Sequence, residues 1–476
     1  MPYRKGALVL SALFLFILTS NPNVNAGSFD ENLLSIYSRG RKVGYQYDSE
    51  RSAGDITEVT EKTRLRVKLL DNVEDIVTEA HYRLRGYSML SFDFKYLSPS
   101  GNVTASGERV GKSLRITINT VSGQSELSIP ADEDLIPVSL LPAWLAAKSP
   151  EAGREYKVPV LDPLTVIAGS GGAIPESVNR IAARERVDIS SSGSYDTWRV
   201  ESEISGVRIT SWITDSGRLI KQSTPPGMTA LRDKEGSAAD EGITEYDVTA
   251  STSIPSDTEI KDARNLKYLR VEIKGIEPGD GFELSDGYRQ SSRGSVVEIR
   301  AGDLARLNTY EIPNKDPLLA RYLKPDNLIQ SGDPEIISKS REILGGETDS
   351  LRAAEKINRW VYGYLKKTGT ASIPNAKDVL KAGSGDCNEH SALFAALARA
   401  AGIPTKTVSG TIYLDGRFYY HAWNEVYVGE WVAVDPTFGQ IPADATHIKL
   451  VEGDLTKSSL IMNAAGKINL KILEAS

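Results

Sequence analysis

The chain has 476 residues, 40% hydrophobic and 25% charged, with a formal net charge of -7 and a pI near 5.5. This is an ordinary globular balance in a length too great for one core, so two to four domains are expected. An acidic chain with no dense Lys/Arg run lacks the electrostatic footprint of a nucleic-acid binder, and no such partner is expected.

Residues 1–26 read as a secretory signal, with Arg4 and Lys5 as its positive start, an apolar run over 7–18 and the small-residue cleavage site Val24-Asn25-Ala26. The run is too short to span a bilayer comfortably and no later stretch is longer, so the mature chain is expected to be exported, periplasmic or secreted, and not integral to the membrane. No cysteine lies near the cleavage site, which argues against a lipid anchor.

Residues 27–225 alternate as β-strands do: Leu65, Val67 and Leu69; Tyr82 and Leu84; Phe92, Phe94 and Tyr96; Leu114, Ile116 and Ile118; Trp198 and Val200; Val207 and Ile209. Turns at Ser98-Pro99-Ser100-Gly101, Ser122-Gly123 and Asp215-Ser216-Gly217 separate some of them. A short helix over 140–147 and a loop over 169–172 interrupt the pattern. Many strands and few helices predict a large antiparallel sheet, open or partly closed as a barrel. Residues 226–242, rich in Pro, Gly and small or charged residues, read as a linker. Leu269, Val271 and Ile273 with Val297 and Ile299 then mark a small β domain over 243–312.

Helices return in the remaining 313–476. Asp333-Pro334 opens one over 335–344, and Ser350 is expected to cap the next, where Leu351, Ala354, Ile357, Val361 and Tyr364 share a face. Trp360 is assigned to core packing. Cys387, the only cysteine, cannot form an intramolecular disulfide and is packing, a metal ligand or a nucleophile. The Ala/Leu-rich run behind it, stopped by Gly402 and Pro404, is a helix that places Cys387 in the first turn. There the helix dipole is expected to lower the thiol pKa, and the free N–H groups to bind an oxyanion.

A thiolate needs a base and an orienting group. His421 lies in a β-rich run over 418–428. A turn at Gly429-Glu430 sends 431–436 back, which sets Asp435 beside His421 if the two form a hairpin. His390, three residues after Cys387, is expected to line or cap the site, and His447 to lie at the surface. A metal pair of Cys387 and His390 is the other reading. With four histidines and one cysteine a closed zinc site is poorly supplied, and no metal is expected. In an oxidising compartment, a second cysteine would endanger a nucleophilic one.

The blocks Ala376 to Asp378, Leu380, Gly385-Asp386-Cys387, Arg399-Ala400-Ala401-Gly402-Ile403-Pro404, His421-Ala422-Trp423-Asn424-Glu425-Val426, Trp431 and Asp435-Pro436-Thr437 occur in one order over about 330–450. They resemble the transglutaminase-like superfamily, whose papain-like α+β fold would here follow β-rich N-terminal domains. The resemblance implies Cys387 as nucleophile, His421 as general base and acid, and Asp435 as the group orienting the imidazole. Asn388, His390 and Trp423 are the expected substrate-binding residues, with core packing the other reading for Trp423. The expected function is an exported thiol enzyme cleaving peptide or other amide bonds through a thioester, hydrolysis being favoured over amine transfer. It would need no cofactor, and its partner would be a peptide or protein substrate, a cell-envelope one included. The alternative is a non-catalytic scaffold on the same fold, binding peptide or cell-envelope material.

Overall fold

The computed structural model describes residues 30–476 except 132–134, 170–173, 235–238, 277–280 and 454. The expected signal over 1–26 and most of the loop over 169–172 lie outside the described residues.

The alternating N-terminal segments form one 16-stranded sheet. Eight strands from Asp30–Ser38 to Gly123–Pro130 run as an antiparallel meander. The first of them then pairs on its other side with Met228–Arg232, which continues the sheet back through the later strands. Leu65, Val67, Leu69, Phe92, Phe94, Tyr96, Leu114, Ile116 and Ile118 are buried on one face, as strand periodicity requires. The helix Leu141–Ala147 packs between turns from both halves of the sheet. Tyr87 Oη donates to Ala143 O at 3.2 Å, and a Cβ on Gly217 would lie 2.6 Å from Ala143 Cα.

Two boundaries differ from expectation. Pro225-Pro226-Gly227 is the turn of a hairpin, with Gly227 N donating to Thr224 O and Thr224 paired to Met228, so the segment read as a linker contains a strand of the sheet. Pro and Gly mark tight turns and linkers alike, which is why composition misled. The small β unit is not self-contained either. Its strands Tyr268–Lys274, Val296–Arg300 and Gln290–Arg293 take Asn469–Ala475 as a fourth member, beside Tyr268–Lys274.

In the C-terminal part, Pro334–Leu344, Ser350–Tyr364 and Ala376–Ala382 surround the helix Cys387–Ala400, which is buried from Cys387 through Ala398. Its alanines suit this central position, since small side chains let helices and sheet approach from several sides. Asp349, not Ser350, caps the second helix by accepting from Arg352 N at 3.0 Å, while Ser350 Oγ accepts from Tyr310 N at 3.2 Å. The central helix lies on a sheet ordered Ile254–Pro255, Arg417–Tyr427, Thr405–Leu414, Ile448–Glu452, with Trp431–Val434 also paired to Arg417–Tyr427. The architecture is therefore a large β-rich region followed by an α+β domain.

Deleting residues 469–476 is expected to strip Leu470 and Ile472 from the small sheet. At about 1.5–3 kcal/mol for the buried Leu470 and less for the half-buried Ile472, the melting transition of the C-terminal part should fall by roughly 5 °C in calorimetry. In the large sheet, burial pushes Glu61 up to about 8, with the Ser139 hydroxyl acting against the shift. The folded state thus holds a proton that the unfolded state releases near the ordinary carboxyl value, and stability contributed by the protonated form is lost as pH rises towards 8. Glu61→Gln should raise the urea midpoint relative to wild type by more at pH 8 than at pH 5.

Candidate active site

The helix Cys387–Ala400 begins with a capping box. Asp386 Oδ1 accepts from Asn388 N at 2.9 Å, and Glu389 Oε2 accepts from Asp386 N at 2.9 Å. Gly385 makes room for this, because a Cβ there would collide with Glu389 Cβ. The thiol of Cys387 is fully buried. Burial pushes it well above the ordinary thiol range, and the carboxylates of Asp386, Glu389 and Asp435 push the same way, against the Ala422 backbone. The expected lowering of the thiol pKa is thus reversed. A helix N-terminus contributes up to about 2 kcal/mol, whereas burying a charge costs several, and here two capping carboxyls share the positive end.

The strand Arg417–Tyr427 is tied to the helix by Ser391 Oγ, which donates to Trp423 O at 3.2 Å, and by Asn424 Nδ2, which donates to Ser391 O at 3.2 Å. His421 stands opposite Gly410 in the neighbouring strand, where a Cβ would press within 2.8 Å of Trp423 Cη2 and into Ile448 O. The expected hairpin is present, pairing Tyr427 with Trp431 and Asn424 with Val434, so that Asp435 follows directly. Asp435 Oδ1 accepts from Thr437 N at 2.8 Å and Phe438 N at 3.2 Å, and Oδ2 accepts from His421 Nε2 at 2.8 Å. His421 Nδ1 is buried without a hydrogen-bond partner.

Sequence reading missed a second imidazole. His447, expected at the surface, is fully buried, and its Nε2 donates to the same Asp435 Oδ2 at 2.9 Å. Its Nδ1 lies 3.1 Å from Asp444 O and 3.4 Å from Asp444 Oδ1. The signal in the sequence was Asp444-Ala445-Thr446-His447: Asp444 Oδ1 accepts from Thr446 N, an Asx turn that turns the chain inward before Ile448–Glu452. Burial works against a charge on His447, but Asp444 and Asp435 outweigh it and raise its pKa. Burial lowers the pKa of His421, with Asp435 opposing and the His447 charge adding to the fall. Asp435 itself is held far below the usual carboxylate range: burial opposes this, and the two histidines prevail.

His421, Asp435 and His447 offer three atoms within 4.8 Å of one another, as a metal's ligands would. The two nitrogen-to-oxygen distances, 2.8 and 2.9 Å, are hydrogen-bond lengths. Ligands of a tetrahedral zinc ion at about 2.0 Å would stand roughly 3.3 Å apart. The arrangement fits shared protons better than a shared cation.

Among the other expected site residues, Asn388 is buried beside Cys387 with its Nδ2 unpartnered. The Nδ1–H of His390 donates to Asp386 O at 2.6 Å, and burial pushes this imidazole down to about 4. Trp423 is fully buried, its ring stacked near His421 at 6.2 Å and edge-on to His447 at 5.3 Å, so it packs against both imidazoles. Trp360 stacks on Tyr364 at 4.4 Å. A cavity of about 420 Å³ reaches Ser384 and Glu389 from between Thr368, Ser372 and the turns of the large sheet at Asn72 and Ser100.

Residues 337–436 match the family model described as the transglutaminase-like superfamily. No curated protein matches the chain. Among solved structures, a "putative cysteine protease" from Cytophaga hutchinsonii is similar at 18% identity and a TM-score of 0.29, over 44% of this chain and 84% of that one. A "putative protease" from Parabacteroides distasonis is similar at 11% identity and a TM-score of 0.22, over 89% of this chain and 73% of that one. The C-terminal part of this chain is a transglutaminase-like domain, carried behind a large β-rich region.

Proposed function

We propose that the chain is an exported thiol enzyme that hydrolyses peptide or other amide bonds through Cys387, His421 and Asp435. The observation that carries this reading is the state of His421: Nε2 is bound to Asp435, while Nδ1 is buried with no partner, on the strand whose Ala422 reaches the thiol. An imidazole so oriented has one nitrogen free for one proton. Export is inferred from Arg4, Lys5, the apolar run over 7–18 and Val24-Asn25-Ala26. Among the described residues no helix is long and apolar enough to cross a membrane.

Both groups rest neutral in this reading, since burial raises the thiol and lowers the imidazole. His421 Nδ1 takes the thiol proton as sulfur attacks the carbonyl carbon. Asn388 Nδ2 is a candidate donor to the oxyanion. Collapse breaks the C–N bond, and His421 returns the proton to the leaving amine. Water then loses a proton to Nδ1 and attacks the thioester, and the thiol is restored. The closed state needs an opening step, because Cys387, His421 and Asp435 are each 0% exposed. The same burial favours the second reading, a binding scaffold with a silent thiol.

The test uses denatured casein, with and without a fluorescent primary amine, and reads new N-termini and dye incorporation. Hydrolysis predicts new termini with little dye. Cys387→Ser should abolish turnover, and His421→Ala should lower it by about 10²–10⁴-fold. Full activity in Cys387→Ser would sink the mechanism. No turnover of casein or of cell-envelope protein, with binding unchanged in His421→Ala, would favour the scaffold.

A further inference from the structure

The single carboxylate oxygen shared by two imidazoles raises the question of what the second one does. His447 is faced by Asp435 from the turn after the hairpin, by Asp444 from its own loop, and by His421 and Trp423 from the strand Arg417–Tyr427. Its loop is held from outside the transglutaminase-like match. Arg289 Nη1 donates to His447 O at 2.6 Å, and Nη2 donates to Asp444 O at 2.7 Å. Arg264 Nη1 lies 3.1 Å from Asp444 Oδ2, and Nη2 donates to Thr446 Oγ1 at 3.0 Å and Tyr413 O at 2.5 Å. Gln290 and Lys449 exchange two further bonds, Gln290 Nε2 to Lys449 O at 2.8 Å and Lys449 N to Gln290 Oε1 at 2.9 Å. Arg264 precedes the small sheet, while Arg289 and Gln290 open its strand Gln290–Arg293.

We propose that His447 is a permanently protonated positioning residue which locks Asp435 behind His421, and that the small β unit completes the thiol centre by holding His447 through Arg264 and Arg289. The inference rests on the thiol-enzyme reading above for its catalytic meaning, but the charge state of His447 can be tested without it. Both ring nitrogens of His447 face oxygen acceptors, which only the doubly protonated ring can satisfy by donating. Charges then alternate along the line: Asp435 negative, His447 positive, Asp444 negative, Arg264 positive. Trp423 packs against both rings, and all three side chains are fully buried.

A cation 5.9 Å from His421, measured between ring centroids, disfavours a second charge there. It keeps His421 neutral, able to accept the thiol proton only when the substrate carbonyl is in place. Asp435 meanwhile cannot swing away, because Oδ1 is held by two backbone amides and Oδ2 by two rings. His447 therefore sets both the direction and the basicity of His421 without touching the reacting atoms.

The experiment is a nitrogen NMR titration of the full chain labelled at histidine, whose four imidazoles are assigned by substitution. In the wild type, both nitrogens of His447 should stay in the protonated range from about pH 5 to about pH 8. His447→Gln keeps a donor for Asp435 but removes the charge. It should move the His421 titration, and with it the acid limb of Cys387 alkylation, upward by about one to two pH units. Arg264→Gln should move both in the same direction by less. Neutral His447 at pH 7 in the wild type would overturn the proposal even if every variant misfolded. So would a His447→Gln protein that loses stability while its His421 titration stays put, since a merely structural residue does only that. If the titrations behave as expected but Cys387→Ser turns over casein normally, the thiol-enzyme reading fails and the clamp survives.

Discussion

Asp435 Oδ2 is the atom on which the domain converges. It accepts from two imidazoles, and the other oxygen accepts from two backbone amides. Four donors around one buried carboxyl make the ionised form far better solvated than its exposure suggests, so a charge persists in a place where water cannot reach it. Each donor has its own structural source. The amides come from the turn that ends the hairpin, His421 from the strand before it, and His447 from the loop after it. The hairpin register, the glycine opposite His421 and the arginines under the loop are all means of bringing those donors to one point.

The thiol end of the site is governed by a different balance. The N-terminus of a helix attracts negative charge, and in isolation it would favour a thiolate. Here Asp386 and Glu389 already occupy that end through the capping box, and Cys387 has no exposed surface. Desolvation exceeds what the dipole can return. Burial thus favours the neutral thiol and the neutral imidazole alike, and in the thiol-enzyme reading proposed above charge separation waits for a substrate oxyanion to share it. The strap over 368–372 reinforces this closure. Asn72 Nδ2 donates to Gly369 O, Tyr96 Oη to Ala371 O, and Ser372 Oγ to Glu389 Oε1, so the large sheet is wired to the cap of the helix Cys387–Ala400.

Local signals carried well from sequence to structure. The helix behind Cys387, the strand of His421, the reversal at Gly429 and the alternation in the large sheet all depend on neighbours within a few residues, and each stands where periodicity placed it. What escaped is non-local. Arg264 meets Thr446 and Asp444 across about 180 positions, and nothing near Arg264 marks it as other than a surface cation. His447 read as a surface residue because one polar side chain ahead of a strand normally is, and only its partners make burial tolerable. The cap of the helix Ser350–Tyr364 shifted by one residue because Asp and Ser are near-equal cap formers standing side by side. The segment over 226–242 was misread because Pro-Pro-Gly suits a hairpin as well as a spacer.

The strand Asn469–Ala475 has a consequence in time. It lies beside Tyr268–Lys274, so the ladder that completes the small sheet joins residues about two hundred positions apart. Such a closure forms late and slowly compared with the local helices of the transglutaminase-like domain. The arginines that hold His447 belong to that same unit, and they cannot be firmly seated until it closes. A newly made chain would thus pass through a stage in which the cysteine helix and the His421 hairpin exist while their carboxylate is still loosely held. If Cys387 is the nucleophile proposed above, assembly order would itself delay its reactivity until the molecule around it is finished.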